Sequence, residues 1–238
     1  MVLIQARDYA HVSELAADMI AKQIQQKQNA LIGLATGSSP IGTYQNLIAM
    51  NHEGQLDFSH VRTVNLDEYV GLSKECDQSY SLFMRKQLFN HINISLENTH
   101  IPNGMACDLD AECTRYDQLI SNMGGIDLQL LGIGHDGHIG FNEPADSFST
   151  GTNCVTLTET TRKANSRFFS GIENVPTQAI TMGIREIMQA KSIVVVVSGG
   201  DKLEILKQAI HGPVTPRVPA SILQLHHNCT IITDCLLQ

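Results

Sequence analysis

One short segment limits the folds open to this chain more than any other: residues 192–197, which read SIVVVV. Its β-branched side chains favour an extended strand. The run is apolar without interruption, whereas a strand with one face in water alternates between apolar and polar residues. We therefore predict a strand covered on both faces, which is typical of a parallel sheet held between two layers of helices.

The rest of the chain alternates between strand and helix patterns. Asp8, Asp77 and Asp108 are candidate helix caps, Pro40 can open a helix at its first position, and residues 201–211 form a further amphipathic stretch. Short buried strands are predicted at residues 30–35, 61–66, 126–131, 192–197 and 230–233. Such alternation predicts an α/β fold with a mostly parallel central sheet and helices on both faces.

The domain organisation is predicted to be simple. Residues 1–238 contain no repeat, linker or low-complexity tract, which indicates a single domain. Residues 145–190 are the least regular part of the chain. We expect them to form an excursion over the active face, such as a lid.

Composition argues against several classes of protein. The formal charge of −8 disfavours a nucleic-acid or anionic-membrane surface, although a local site can still bind a phosphate. No apolar run approaches the roughly 20 residues that span a bilayer, and the N-terminus lacks the pattern of a secretory signal. The six cysteines are scattered without a C-x-x-C pair. These features predict a cytoplasmic protein with reduced cysteines and no membrane partner.

The strand at residues 126–131 leads into a glycine-rich loop, residues 132–144, which reads GIGHDGHIGFNEP. Ligands of open parallel sheets bind outside the carboxyl ends of the strands. Asp136, His138 and Glu143 all lie in this loop. A histidine changes charge near neutral pH, and neighbouring carboxylates orient it and tune its pKa. The loop therefore predicts a site for proton transfer, with a plain connection as the alternative.

Two other strand ends carry polar residues. Gly37, Ser38 and Ser39 form a turn before a predicted helix, and the N–H groups at a helix N-terminus bind anions. Asp67 and Glu68 follow another strand. Neighbouring side chains of an extended segment point in opposite directions, so one carboxylate is expected to face the cleft and the other to make structural contacts. A tight turn and two solvated acids are the respective alternatives.

Five basic residues are candidate phosphate ligands, since Arg binds phosphate through paired hydrogen bonds and Lys as a point charge. They are Arg162, Lys163, Arg167 and Arg185 in or near the irregular stretch, and Lys202 after the turn at residues 198–201. Most surface basic residues have no such role, so the sequence alone leaves each of them open.

A metal site is the weaker alternative for the glycine-rich loop. His135, Asp136 and His138, joined by His226 or His227, would supply its ligands. A structural zinc more often recruits cysteine, and the chain has no H-E-x-x-H motif. We therefore predict no metal.

Five motifs resemble those of the glucosamine-6-phosphate deaminases. They are LATGSSP at residues 34–40, NLDEYVGL at 65–72, GIGHDGHIGFNEP at 132–144, NSRFF at 165–169 and SGGDK at 198–202. They occur in the family's order over nearly the whole chain. The related 6-phosphogluconolactonases carry a similar D-G-H loop but do not continue with F-N-E-P, so the longer string is specific for the deaminases.

The resemblance implies a Rossmann-like sheet and an enzyme of amino-sugar catabolism without a cofactor. The implied reaction converts D-glucosamine 6-phosphate and water to D-fructose 6-phosphate and ammonia. Asp67 matches the base that moves a proton from C2 toward C1, and His138 matches the group that opens the sugar ring. Asp136 and Glu143 match the carboxylates that hold this histidine. The phosphate is expected on the turn at residues 37–39, beneath two further ligands, Arg167 and Lys202.

Two competing functions remain at this point. One is a sugar-phosphate lactonase of the same superfamily. The other is a non-catalytic sugar-phosphate sensor, against which the joint presence of Asp67, Asp136, His138 and Glu143 argues. Longer members of the family have a C-terminal extension and respond to an allosteric sugar phosphate, so we expect such activation to be weak or absent here. Both a monomer and a homo-oligomer are compatible with the sequence.

Overall fold

The computed structural model describes residues 1–236, which contain ten strands and seven α-helices. The strands are β1 (Val2–Gln5), β2 (Leu31–Leu34), β3 (Arg62–Asn65), β4 (Asp67–Tyr69), β5 (Thr99–His100), β6 (Leu128–Gly132), β7 (Asn153–Thr156), β8 (Gln178–Thr181), β9 (Ile193–Val197) and β10 (Cys229–Thr233). The helices are α1 (Tyr9–Gln26), α2 (Ile41–His52), α3 (Tyr80–Gln87), α4 (Leu109–Asn122), α5 (Glu159–Asn165), α6 (Ile184–Met188) and α7 (Leu203–His211).

Seven strands form a central sheet in the order β1-β10-β9-β6-β2-β3-β5. Every neighbouring pair in this sheet is parallel. The apolar run predicted from the sequence is β9, which lies between β6 and β10 with Val195 level with Leu131 and Ile231. All five residues of β9 are buried. The predicted α/β class and Rossmann-like parallel sheet are confirmed.

Helices cover both faces of the central sheet, as predicted. One core lies under α1, α2 and α3 and includes Ile20, Leu47 and Met84. The other core lies under α4, α6 and α7 and includes Tyr116 and Leu206. No helix within residues 1–236 is both long and apolar enough to cross a membrane.

A second sheet, which the sequence did not predict, has three antiparallel strands in the order β4-β8-β7. Asp67 of β4 pairs with Thr181 of β8, and Asn153 of β7 pairs with the same threonine. The segment expected to be irregular, residues 145–190, therefore contains two strands and two helices. Pairing across more than a hundred residues is a tertiary contact, and strands of three or four residues carry little periodicity of their own.

Two predicted helix starts differ from the structure. The helix assigned to an Asp77 cap begins at Tyr80, and Ser79 is its cap, accepting a hydrogen bond from the Leu82 N–H at 3.1 Å. Asp77 instead pairs with Lys86 at 2.9 Å. A residue distant in the sequence helps to fix the first turn of α3, because Glu68 accepts the N–H groups of Tyr80 and Ser81. Pro40 caps α2 rather than occupying its first position.

Candidate active site

The glycine-rich loop folds into a compact turn after β6 that presents His138. The Gly134 N–H donates to the carbonyl of His138 at 2.9 Å, and Gly137 adopts a φ of 85°, a conformation that favours glycine. The imidazole ring packs directly on the Gly134 backbone. A Cβ atom added at Gly134 would lie 2.2 Å from the ring, so only glycine leaves room for it.

Asp136 holds the imidazole in one orientation. Its Oδ1 lies 2.6 Å from His138 Nδ1 and 3.2 Å from the His138 N–H. Burial acts to raise the pKa of Asp136, but the hydrogen bond and charge of His138 outweigh it, and the net pKa is lowered. An ionised carboxylate only accepts hydrogen bonds, so Nδ1 carries the proton. In the neutral imidazole, Nε2 then has a lone pair that can accept a proton from a ligand.

Asp67 lies beside the same loop. Gly140 has a φ of 59°, and a Cβ added there would stand 3.6 Å from Asp67 Oδ2. Asp67 is only 6 % exposed. Its one side-chain hydrogen-bond partner within residues 1–236 is Thr36, whose hydroxyl lies 3.5 Å from Oδ1. The carboxylate of Asp67 and the loop that carries His138 therefore share one region of the molecule.

Burial gives Asp67 unusual acid–base properties. Its pKa is raised to about 8, chiefly by desolvation and also by the charge of Glu68, while the Thr36 hydrogen bond opposes the shift. A carboxyl group with a pKa in this range gains and loses a proton close to neutral pH, as a general base must. The geometry and the pKa together suit Asp67 for removing a proton from carbon.

Glu68 makes structural contacts, as strand alternation predicted for one of the two acids. Its carboxylate accepts the N–H groups of Tyr69, Tyr80 and Ser81, each at 2.9 Å. Burial raises the pKa of Glu68, and these three hydrogen bonds oppose the rise. Glu68 thereby ties β4 to the first turn of α3 and fixes the backbone next to Asp67.

Glu143 is not bonded to His138 within residues 1–236. Its carboxylate accepts hydrogen bonds from the Thr158 N–H and hydroxyl, each at 3.2 Å, and from the Thr161 hydroxyl. Thr158 is the N-cap of α5. The structure therefore joins Glu143 to the start of α5, and its expected contact with the histidine stays a prediction.

The turn at residues 37–39 lies at the same sheet edge. A Cβ added at Gly132, the last residue of β6, would be 3.6 Å from Ser39 Oγ, and Gly37 adopts a φ of 88°. Tyr9, which the sequence did not single out, shapes this turn. Its hydroxyl accepts the Gly42 N–H at 2.8 Å and reaches the carbonyl of Ser38 at 3.1 Å.

Lys202 and Arg167 are close enough to influence each other. The Lys202 ammonium donates to the carbonyl of Ile133 at 3.0 Å, which places it beside the glycine-rich loop. Burial lowers the pKa of Lys202, the charges of Asp201 and Asp136 act to raise it, and the charge of Arg167 lowers it. The contact with Ile133 places the Lys202 ammonium next to the glycine-rich loop, and the charge of Arg167 acts on this ammonium.

The other basic candidates have partners elsewhere. Arg162 donates to the carbonyls of Ile172 and Val175, Lys163 pairs with Glu159, and Arg185 pairs with acidic side chains that include Asp117. The contacts of Arg162 and Lys163 lie within the segment of residues 145–190, and the pair of Arg185 with Asp117 joins this segment to α4. A role of Arg167 and Lys202 in binding a phosphate stays a prediction.

The histidines of the alternative metal site are also engaged elsewhere. His135 pairs with Asp201 at 2.7 Å, and His226 Nε2 lies 2.8 Å from the carbonyl of Ala190. Within the described part of the chain, no group of three or more His, Cys, Asp or Glu side chains is arranged to hold a metal ion.

An aromatic cluster that the sequence did not reveal adjoins Asp67. The ring centroids of Tyr69 and Tyr80 are 4.8 Å apart, and those of Phe141 and Phe169 each lie 5.7 Å from that of Tyr69. Asn165, the last residue of α5, donates to the Tyr69 hydroxyl at 2.9 Å. Tyr69 thus anchors the end of α5, the helix that precedes Arg167.

Comparison with known proteins agrees with this geometry. The model of the family described as glucosamine-6-phosphate isomerases/6-phosphogluconolactonase matches residues 6–232. The chain belongs to this family. The resemblance inferred from the sequence motifs is therefore confirmed.

Several members of the family are similar over their whole length. A glucosamine-6-phosphate deaminase of Lachnoclostridium phytofermentans is 57% identical over 232 residues, which cover 98% of each chain. One from Clostridium perfringens is 50% identical over 98% of this chain and 97% of its own. Among solved structures, a monomeric glucosamine-6-phosphate deaminase superposes with a TM-score of 0.96 at 45% identity, covering 98% of this chain and 97% of its own.

Solved structures with lower sequence identity show the same fold. A 6-phosphogluconolactonase from Thermotoga maritima superposes with a TM-score of 0.73 at 18% identity, covering 98% of both chains.

Proposed function

We propose that this protein is a glucosamine-6-phosphate deaminase, which converts D-glucosamine 6-phosphate and water to D-fructose 6-phosphate and ammonia. One observation supports this most directly. A buried carboxyl group with a raised pKa, Asp67, lies next to the loop that carries an Asp136–His138 pair. The full-length identity to proteins named as such deaminases supports the same reaction.

In the proposed mechanism, His138 opens the sugar ring. Nε2 takes the proton of the O1 hydroxyl and returns it to the ring oxygen, so a single imidazole serves as base and then as acid. Asp136 keeps Nδ1 protonated and stabilises the imidazolium that forms between these steps. The product of this step is the open-chain aldehyde.

Asp67 then acts at C2. Its carboxylate removes the C2 proton and delivers it to C1, while one proton of the C2 ammonium group moves to O1. The resulting iminium at C2 adds water and loses ammonia. The base must be ionised, although burial raises its pKa to about 8. An ammonium group on C2 of the bound sugar would place a positive charge nearby, which lowers the carboxyl pKa and favours the ionised form.

The phosphate is assigned to the turn at Gly37, Ser38 and Ser39, with Lys202 and Arg167 as the cationic partners. Anchoring the phosphate far from C1 and C2 lets its binding energy hold the open-chain sugar in the reactive pose. The position of Ser39 beside the end of β6 and the bond from Lys202 to Ile133 support this assignment.

We also propose that residues 145–190 belong to the same single domain and that their middle part acts as a lid. β7 and β8 are paired in the second sheet, whereas α5 is joined to the rest through Glu143 at its start and Tyr69 at its end. All six cysteines are free thiols, which fits the cytoplasmic location that we propose for the reaction.

The decisive experiment measures the products of the purified protein. With D-glucosamine 6-phosphate we expect ammonia and fructose 6-phosphate in equal amounts. A 6-phosphogluconolactone serves as the competing substrate, and we expect it to hydrolyse no faster than in buffer. Lactone hydrolysis without release of ammonia would overturn the proposal in favour of a lactonase, and binding without either reaction would favour a sensor.

A further inference from the structure

A cavity of about 470 Å³ lies at the edge of the central sheet, apart from the proposed active site. Its wall includes Glu68 of β4, Arg85 of α3, His100 of β5 and Arg115 of α4. Asp67 does not line it, because neighbouring side chains of a strand point in opposite directions. Strand β4 thus presents Asp67 toward the catalytic loop and Glu68 toward this cavity.

The two carboxylates of the cavity wall already have partners. Glu68 accepts three backbone N–H groups. Glu112 accepts the Asn103 N–H at 2.7 Å and a two-pronged contact from Arg115, at 2.6 and 2.7 Å. The negative charge of Glu112 is therefore balanced by Arg115, and that of Glu68 is stabilised by three hydrogen bonds.

Unlike these carboxylates, two cations of the cavity wall have no partner among the described residues. The Lys74 ammonium and the Arg85 guanidinium have no hydrogen-bond or ion-pair partner within residues 1–236. Arg85 is half-buried and lines the cavity without a compensating anion among the described residues. A phosphate group that bridges both side chains would supply that anion through charge-assisted hydrogen bonds.

The remaining wall is mixed, with Leu72, Ile101, Pro102 and Leu119 as apolar side chains and Ser81, Thr99 and His100 as polar ones. The volume is in the range of small-molecule sites, about 300–1,000 Å³, and is far larger than one phosphate ion fills. A wall that combines apolar side chains with charged groups can bind an organic ligand and orient it by its charged end.

We propose that this cavity is a second ligand site, which binds a phosphomonoester about the size of a hexose phosphate. The phosphate contacts Arg85 and Lys74, and the organic part lies against Leu72 and Ile101. This site is independent of the proposed catalytic reaction, because none of the residues assigned to catalysis lines the cavity.

The test is a calorimetric titration with glucose 6-phosphate in a Lys202→Ala background, which weakens binding at the active site. We expect one remaining site. Arg85→Ala added to this background should weaken its affinity at least about tenfold, because a hydrogen bond to a charged group contributes about 1.5–3 kcal/mol. Lys86→Ala is the matched control, since Lys86 lies on the same helix and pairs with Asp77 outside the cavity. It should change the affinity less than twofold.

A second variant guards against a folding defect in Arg85→Ala. Lys74 is exposed, so Lys74→Ala should leave the unfolding midpoint unchanged and weaken the affinity several-fold. Inorganic phosphate is the comparison ligand, and we expect it to bind at least about tenfold more weakly because it leaves the apolar wall uncovered. The inference is overturned if glucose 6-phosphate does not bind in the Lys202→Ala background, or if both cavity variants keep the affinity within twofold. Equal affinity for inorganic phosphate would instead identify the ligand as the free ion.

Discussion

Asp67 illustrates how one buried side chain couples function to stability. Desolvation raises its pKa to about 8, so the folded protein holds this proton near neutral pH. An unfolded chain releases the same proton near pH 4. A base kept ready in this way lowers the stability of the folded state, which is a common property of active-site groups.

Asp67→Asn should abolish turnover while leaving binding largely intact. The amide keeps the shape of the side chain but cannot accept the C2 proton, so we expect kcat to fall by at least about a hundredfold. Steady-state assay of ammonia release gives kcat, and equilibrium titration with a non-reactive sugar phosphate gives the affinity. A variant with near-normal kcat would remove Asp67 from the mechanism.

The same substitution should stabilise the protein, increasingly so as the pH rises. Below about pH 4 the carboxyl is protonated in both states, and the raised pKa has no effect on unfolding. Between pH 4 and 8 only the unfolded chain ionises, so the wild type loses up to a few kcal/mol relative to Asp67→Asn. Denaturant unfolding of both proteins at pH 4, 6 and 8 measures this difference. A difference that does not depend on pH would contradict the raised pKa.

At the scale of elements, two turns place the proposed phosphate ligands, and each is held by a residue from another part of the chain. Tyr9 of α1 holds the turn at residues 37–39. Asp234, which follows β10, holds the turn between β9 and α7. Its carboxylate accepts the Ser198 hydroxyl at 2.5 Å and the Gly199 N–H at 3.0 Å. Gly199 adopts a φ of 100°, so this turn has an unusual backbone shape that Asp234 stabilises.

Lys202→Ala should chiefly raise KM, since a phosphate contact serves the ground state and the transition state alike. We expect an increase of at least about tenfold, as for the loss of one charged hydrogen bond. Asp234→Ala should raise KM in the same direction by a smaller factor, because it displaces the turn without removing the cation. Asp146→Ala is a control that removes an exposed carboxylate paired with Arg217. A large drop in kcat at unchanged KM in the first two variants would contradict a role in phosphate binding.

Gly134→Ala should displace the His138 ring without removing any titratable side chain. The added methyl group would overlap the His138 ring and push it away from Asp136. We expect a fall in kcat of about a hundredfold or more, comparable to the loss of a general acid–base group. Gly200→Ala is a suitable control, because a Cβ there meets nothing within 4 Å. Equal activities in the two variants would show that the ring position is unimportant.

On the scale of the whole molecule, the second sheet connects distant parts of the site. β4 carries Asp67 and Tyr69, and it pairs with β8 in the segment that also contains Arg167. The Tyr69 hydroxyl holds Asn165 at the end of α5, two residues before Arg167. One short strand thus supports both the proposed base and the proposed lid.

Tyr69→Phe should loosen α5 while preserving the aromatic cluster. The ring stays, and only the hydroxyl is lost, which accepts the Asn165 amide at 2.9 Å and, in a longer bond, the Tyr80 hydroxyl at 3.3 Å. We expect faster amide hydrogen exchange in α5 and a KM a few-fold higher, because a single hydrogen bond contributes about 1 kcal/mol. Exchange rates in α1 serve as the internal reference. Unchanged exchange in α5 would show that this bond does not restrain the proposed lid.

The sequence predicted those features of this protein that depend on local pattern. The continuous run at residues 192–197 indicated a strand buried on both faces, and capping by Asp8 and Asp108 located two helices correctly. The glycine-rich loop placed an imidazole and a carboxylate two residues apart, which is close enough for the Asp136–His138 bond to form within one turn. Residue type and spacing are sufficient for such features because the interacting groups are neighbours in the chain.

Only the tertiary structure decided the arrangement of residues that are distant in the chain. It brought β7 and β8 to β4, buried Asp67 beside Gly140, placed Glu68 at the start of α3, and joined Glu143 to α5. The physical reason is that burial, and with it the pKa of Asp67, depends on every segment packed around a group. Local pattern carries no record of those segments, so the chemistry of this carboxylate is a property of the folded chain.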